Sequence, residues 1–132
     1  MIDVKELRVG NVLYVKYESK THIVHSIHEY KTFNGGYAIR MENGSKCSLD
    51  YAEPVPLTEE LLLKCGFNIE CYEYCIKEQR LFAIEDFWIL HNCHNDFYGV
   101  MCSNKVVRKI EHLHQLQNIY YALTGEELEV RL

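Results

Sequence analysis

Along the first fifty residues the apolar positions come in short runs divided by turn residues, not at helical spacing. Val12-Leu13-Tyr14-Val15-Lys16-Tyr17 follows Gly10-Asn11, and Glu18-Ser19-Lys20 reads as a turn. A β-branched residue, Thr21, opens a second strand that runs to Glu29. Asn34-Gly35-Gly36 turns the chain, Tyr37 to Met41 forms a strand, Asn43-Gly44 is a hairpin signal, and Lys46 to Leu49 completes the pair. Four or five short strands with tight turns predict an SH3-like small β-barrel over residues 1–56.

Pro54-Val55-Pro56 cannot supply normal ladder donors and ends that sheet. The remainder, 57–132, reads as an α+β part, so the fold class is α+β, with both parts expected to form one compact unit. Thr58 is placed to cap a short helix, Glu59 and Glu60 suit its positive end, Leu61, Leu62 and Leu63 supply its apolar face, and Gly66 suits its C-terminal cap. An antiparallel meander follows, with strands expected at Glu70–Lys77, Leu81–Ile84, Phe87–His91, Phe97–Met101 and Lys105–Val107. A helix is predicted from about Glu111 to Leu123, because Leu113, Leu116, Ile119, Tyr120 and Leu123 share one arc at 100° per residue. Gly125 closes it, and the alternating tail from Leu128 to Leu132 is expected to be an edge strand.

Four segments together carry a resemblance: Glu6-Leu7-Arg8-Val9-Gly10-Asn11-Val12; the run from Pro54 to Phe67; His112-Leu113-His114-Gln115-Leu116-Gln117-Asn118-Ile119-Tyr120-Tyr121-Ala122-Leu123; and Thr124-Gly125-Glu126-Glu127-Leu128. The chain resembles a family of short uncharacterised proteins of Bacteroides-type gut bacteria and their phages and mobile elements. The resemblance implies a cytoplasmic accessory protein and supplies no activity, cofactor or catalytic residue.

Charge narrows the partners. Residues 1–56 carry 7 basic and 7 acidic side chains, and residues 57–132 carry 7 and 12, so the net charge of −5 belongs to the second part. Lys105, Arg108 and Lys109 are the nearest approach to a basic cluster, which disfavours a phosphate backbone as the general partner. The first eight residues mix charges where a secretory signal has an apolar run, and no stretch approaches the roughly 20 apolar residues of a membrane helix. A cytoplasmic location is therefore expected, with Cys47, Cys65, Cys71, Cys75, Cys93 and Cys102 reduced and mostly buried.

Candidate chemistry is sparse. His91, Cys93 and His94 place three metal donors within four residues, with Cys71, Cys75 and Cys102 in neighbouring strands, but no Cys-x-x-Cys knuckle is present. His22 and His28 should face one side of their strand and His25 the other, which keeps them from one ion. No hydrolase, metalloprotease or phosphate-loop motif occurs, Glu85-Asp86 reads as a solvated turn, and no enzymatic activity and no cofactor are expected.

The last helix is the exception to this plainness. From His112 to Gly125 there is no Asp, Glu, Lys or Arg. The arc opposite its apolar stripe holds His114, Asn118, Tyr121 and Ala122, bordered by Gln115 and Gln117, where an exposed helix normally carries charge. Either the protein's own N-terminal sheet covers this face or a protein partner, including a second copy, does. The leading expectation is a non-enzymatic interaction protein of phage or mobile-element origin, with His114, Gln115, Gln117, Asn118 and Tyr121 at the interface. The alternatives are nucleic-acid binding by the SH3-like part, through Tyr14, Tyr17, Tyr30 and Phe33 with Lys16, Lys20 and Lys31, and a Cys/His metal or thiol site.

Overall fold

The computed structural model describes residues 2–29, 36–70, 79–103 and 105–131. Tyr30, Lys31, Phe33, Cys71 and Cys75, the turn at 34–35 and most of the strand expected at Glu70–Lys77 lie outside them. The elements are, in chain order, β1 (Val12–Val15), β2 (Lys20–Glu29), β3 (Tyr37–Met41), β4 (Lys46–Ser48), β5 (Ala52–Pro54), α1 (Glu59–Lys64), β6 (Asn68–Glu70), β7 (Gln79–Ile84), β8 (Phe87–Asn92), β9 (Phe97–Cys102), β10 (Lys105–Ile110) and α2 (Leu113–Thr124). The protein is thus α+β, with two five-stranded antiparallel sheets and a C-terminal helix. Among the described residues no helix is long and apolar enough to cross a membrane.

The chain divides into two compact units, Met1–Pro56 with His112–Asn118, and Leu57–Glu111 with Ile119–Leu132. The first half of α2 therefore belongs with the N-terminal sheet, although the sequence places the whole helix in the second part.

In the first unit the strand order is β4-β3-β2-β1-β5. Leu13 and Val15, two residues apart, face one side and meet Val24, Ile39, Met41, Leu49 and Ala52 in the core. Gly44, at φ 87°, lets the β3–β4 hairpin turn tightly after Asn43. A 3-10 turn at Leu49–Tyr51, capped by Ser48 Oγ, leads into β5, and Pro54 sits on this edge strand, where its missing N–H interrupts no ladder. The described pairings leave the sheet open, so closure into a barrel is not among them.

The histidine faces in β2 differ from the expectation. The register shifts between Val24 and Ser26, a bulge that adds one residue and reverses the alternation beyond it. His22 is consequently buried on the core side, while His25 and His28 are both exposed.

In the second unit Thr58 caps α1 by accepting from the Leu61 N–H at 3.0 Å, and Gly66, at φ 90°, lets the chain leave the helix. Leu61 and Leu62 are buried, but Leu63 is exposed, because three consecutive positions span too wide an arc for one face. The sheet order is β10-β9-β8-β7-β6. Cross-strand pairing puts Phe82, Phe87, Ile89, Tyr98, Val100 and Ile110 on one face. Phe87 there meets Phe67, just after α1, at 6.0 Å between ring centroids and Tyr120 of α2 at 5.0 Å.

The opposite face presents Leu81, Ala83, Trp88, Leu90, Phe97, Gly99, Met101 and Val106. β10 is an edge strand whose register shifts between Val106 and Arg108, and it carries Lys105, Arg108 and Lys109. Bulges and cations of this kind discourage edge-to-edge pairing with another chain.

Residues 125–131 form no strand, contrary to the alternation of the tail. Leu128 is buried and the Arg131 N–H donates to the Lys64 carbonyl at 3.2 Å, so the tail satisfies the end of α1 and not a ladder.

Candidate functional site

The uncharged face of α2 is explained within the first unit as far as Asn118. Gln117 is 3% exposed, and its side-chain amide pairs with backbone as a strand would. Its Oε1 accepts from the Val12 N–H at 2.8 Å and its Nε2 donates to the Gly10 carbonyl at 3.0 Å. Asn118 Oδ1 accepts from Asn11 Nδ2 at 2.8 Å and Arg8 Nε at 3.2 Å, while its Nδ2 donates to the Glu6 carbonyl. Asn11, fully buried, completes the set by accepting from the Arg8 N–H at 2.7 Å.

Segments 6–12 and 112–123, about a hundred residues apart in the chain, thus bond one another. A charge in place of Gln117 would be buried, whereas its neutral amide satisfies a donor and an acceptor. Gln115 has a local role: its Oε1 accepts from the His112 N–H at 3.1 Å, the backward half of a capping box.

Of the five residues expected at an interface, His114 and Gln117 are therefore buried in this chain and Asn118 is spent on residues 6–11. Tyr121 remains 44% exposed, and Leu123, expected in the apolar stripe, is 62% exposed.

His114 carries a consequence for pH. Its Nε2 lies 3.5 Å from Glu6 Oε2, and its Nδ1 is buried with no hydrogen-bond partner. Burial lowers its pKa, the nearby His112 adds to the lowering, and Glu6 opposes it. A histidine whose folded pKa lies below its unfolded value gives stability that is complete above about pH 6.5 and is lost as pH falls through the folded value. Melting temperature is expected to drop between about pH 7.5 and pH 5 in the wild type, and to drop less in His114→Gln. Equal drops would show that His114 does not carry the effect.

The second unit holds the only described cluster of three or more Cys, His and acidic donors placed to hold a metal ion, and it includes two of the three donors named from sequence. His91, at the end of β8, is buried. Its Nδ1 stands 2.6 Å from Glu59 Oε2 and its Nε2 3.0 Å from Asp96 Oδ1. The ring stacks on Tyr98 at 4.1 Å with planes 1° apart, and Arg80 Nη1 holds Glu59 Oε1 at 3.2 Å. Asp96, with φ 49°, turns the chain back between β8 and β9.

Cys93 Sγ lies 3.8 Å from Nδ1 and 4.0 Å from Glu59 Oε2. Nδ1 thus stands nearer to the Glu59 carboxylate than to the thiol. Tyr98 is pushed up to about 12 by burial and then by the charges of Glu59, Asp96 and Cys93, which keeps its hydroxyl neutral.

His94, the third donor named from sequence, is exposed in the turn, where its N–H donates to Asn92 Oδ1. Glu59 takes its place in the cluster. Sequence reading assigned Glu59 to the helix dipole, and no local signal connects it with a histidine 32 residues away.

The cysteines split by burial. Cys47 and Cys65 are buried, with Cys65 pushed up to about 11, whereas Cys93 and Cys102 are exposed. The side chains named for nucleic acid are partly spent: Lys16 pairs with Glu53 at 3.2 Å, and Tyr17 meets Tyr51 edge to face at 6.0 Å.

The second unit also bears a groove of about 910 Å³ lined by Leu81, Phe87, Trp88, Met101, Tyr120 and Leu123, with Glu85, Asp86 and Glu126 at its acidic margin. Together these features define an α+β protein with an apolar sheet face, a groove and one polar donor cluster in its second unit. No family model, curated protein or solved structure matches the chain.

Proposed function

We propose that this is a non-enzymatic interaction module that docks through the outer face of its second sheet, and that the occupant is a second copy of the chain. The observation that carries the reading is that β7–β9 are mostly apolar on both faces, with Gln79, Asn92 and Lys109 the polar groups at one end of the outer face. An antiparallel sheet with one solvated face alternates apolar and polar residues, but Leu81, Ala83, Trp88, Leu90, Phe97, Met101 and Val106 all point outward here. Val106 is 37% exposed and Leu81, Trp88, Phe97 and Met101 are half-buried, while Ala83 and Leu90 are already buried within the chain. Contiguous apolar surface of this kind marks interaction sites.

The charges favour self-association. The Glu85-Asp86 turn follows Ile84, which pairs with Phe87, while Cys102 of the next strand pairs with Lys105 on the far edge. Acidic and basic groups therefore stand at the same end of the sheet on opposite sides. Val106 faces outward, so Lys105 beside it starts from the inner face, at the very end of β10. A two-fold axis along the strands brings that end of one copy over the Glu85-Asp86 turn of the other, where the long Lys105 side chain reaches round the edge to the carboxylates, an isologous contact. The resemblance to proteins of phages and mobile elements supports an accessory role in the cytoplasm. The first unit's strand order, with a 3-10 turn before β5, supports the SH3-like reading of that part.

Light scattering after size exclusion should give a dimer mass for the wild type and a monomer mass for Trp88→Glu and Met101→Lys. Lys105→Glu should weaken the dimer, and Glu85→Lys with Asp86→Lys in the same chain should restore it. A wild-type chain that is monomeric at every concentration tested ends this reading.

A further inference from the structure

We infer that Glu59, His91 and Cys93 form a binding site for a zinc-class divalent cation, with Asp96 as the outer carboxylate that orients His91. Three donors of different chemistry converge there. Tetrahedral zinc, with bonds of about 2.3 Å to sulfur and 2.0–2.2 Å to nitrogen or oxygen, sets its ligand atoms roughly 3.4–3.6 Å apart. The Sγ···Nδ1 and Sγ···Oε2 separations, 3.8 and 4.0 Å, lie close to that spacing. The third edge, Nδ1···Oε2 at 2.6 Å, is shorter and opens by rotation of the glutamate side chain when a cation replaces the hydrogen bond.

The surroundings supply an independent argument. Histidines that ligate metals by one ring nitrogen characteristically donate the other N–H to a carboxylate, which fixes the tautomer and the ring orientation. Asp96 does this for Nε2 at 3.0 Å, and the stacked Tyr98 ring holds the imidazole plane. Arg80 engages Glu59 Oε1, which leaves Oε2 turned to the site.

The donor set also selects the ion. A thiolate and an imidazole suit zinc and disfavour magnesium or calcium, which take oxygen ligands. The thiolate and the carboxylate together balance the two positive charges. Cys93 is exposed, so the ion has an entry path, and the fourth position is open to water. A bound ion would tie the first residue of α1 to the β8–β9 turn.

The test uses the full chain, reduced and stripped with a chelator, titrated with zinc by calorimetry and with cobalt(II) as a spectroscopic probe. One ion per chain is expected, with Kd on the order of 1 μM or tighter. Cobalt should show a thiolate charge-transfer band and a tetrahedral ligand-field spectrum. Cys93→Ser should abolish the band and weaken zinc more than Asp96→Asn does, and Asp96→Asn should itself weaken binding by about 10–100-fold. Circular dichroism of the metal-free variants checks that they fold. Should Glu59→Gln fail to fold, Cys93→Ser decides the matter, since that thiol is exposed. Zinc binding undiminished in Cys93→Ser, or no stoichiometric uptake by the wild type, overturns the assignment.

Discussion

Gln117→Ala is expected to lower the free energy of unfolding by about 2–4 kcal/mol. The substitution removes one amide but strands two backbone groups, the Val12 N–H and the Gly10 carbonyl, at a position that is 3% exposed. Each buried group left unpaired costs roughly 1–3 kcal/mol, and no rearrangement of an alanine can reach them. The loss also loosens Asn11 and Asn118, which share the segment, so Asn11→Ala and Gln117→Ala should be non-additive in a double-mutant cycle. Ala122→Gln, on the exposed end of the same helix, should change stability by less than about 0.5 kcal/mol. Urea unfolding of the five chains, wild type and double variant included, measures all of this. If Gln117→Ala costs no more than Ala122→Gln, the amide pairing does not hold the first unit together.

Gly99→Ala is the second substitution of large expected effect, about 1–3 kcal/mol of destabilisation. A Cβ at Gly99 would stand 2.5 Å from Val106 Cγ1 and 3.2 Å from Cγ2, on the outer face of the second sheet. Valine is stiff at χ1, so it cannot swing away as a long side chain would. Val106→Ala in the same chain removes both methyl groups and should recover most of the loss, while Val106→Ala alone should cost less than Gly99→Ala. Midpoints of urea unfolding at constant slope give the comparison. A double variant as unstable as Gly99→Ala alone would place the cost elsewhere than in this contact.

Much of the fold was legible because turns and caps are local chemistry. Asn43-Gly44, Glu18-Ser19-Lys20, Thr58 and Gly66 each mark a boundary that the structure uses. The bulge at His25 was not legible, since no Gly or Pro signals it, and one inserted residue was enough to put His28 on the face opposite His22. The tail alternated as a strand does, yet a single buried Leu128 and one bond to Lys64 decide its course.

At the sites, what could be read was that something covers the uncharged helix. What covers His114, Gln117 and Asn118 is residues 6–12, more than a hundred positions away in the chain. Glu59 was invisible for the same reason: its partners are long-range. The outer sheet face did leave a trace. Phe87-Trp88-Ile89-Leu90 and Phe97-Tyr98-Gly99-Val100-Met101 are nearly unbroken apolar runs, the pattern of strands covered on both sides, although by sequence alone they read only as strands.

The bond between Gln117 and Val12 bears on how the molecule is made. It spans 105 residues, so a chain leaving the ribosome must release all of them before the first sheet can gain this contact. Until then the Val12 N–H and the Gly10 carbonyl have only water for company. Ribosome-held chains that stop short of Gln117 should therefore carry an unfinished first unit, the most vulnerable species to proteases and chaperones during synthesis. Its completion is a late, slow closure of a very long loop.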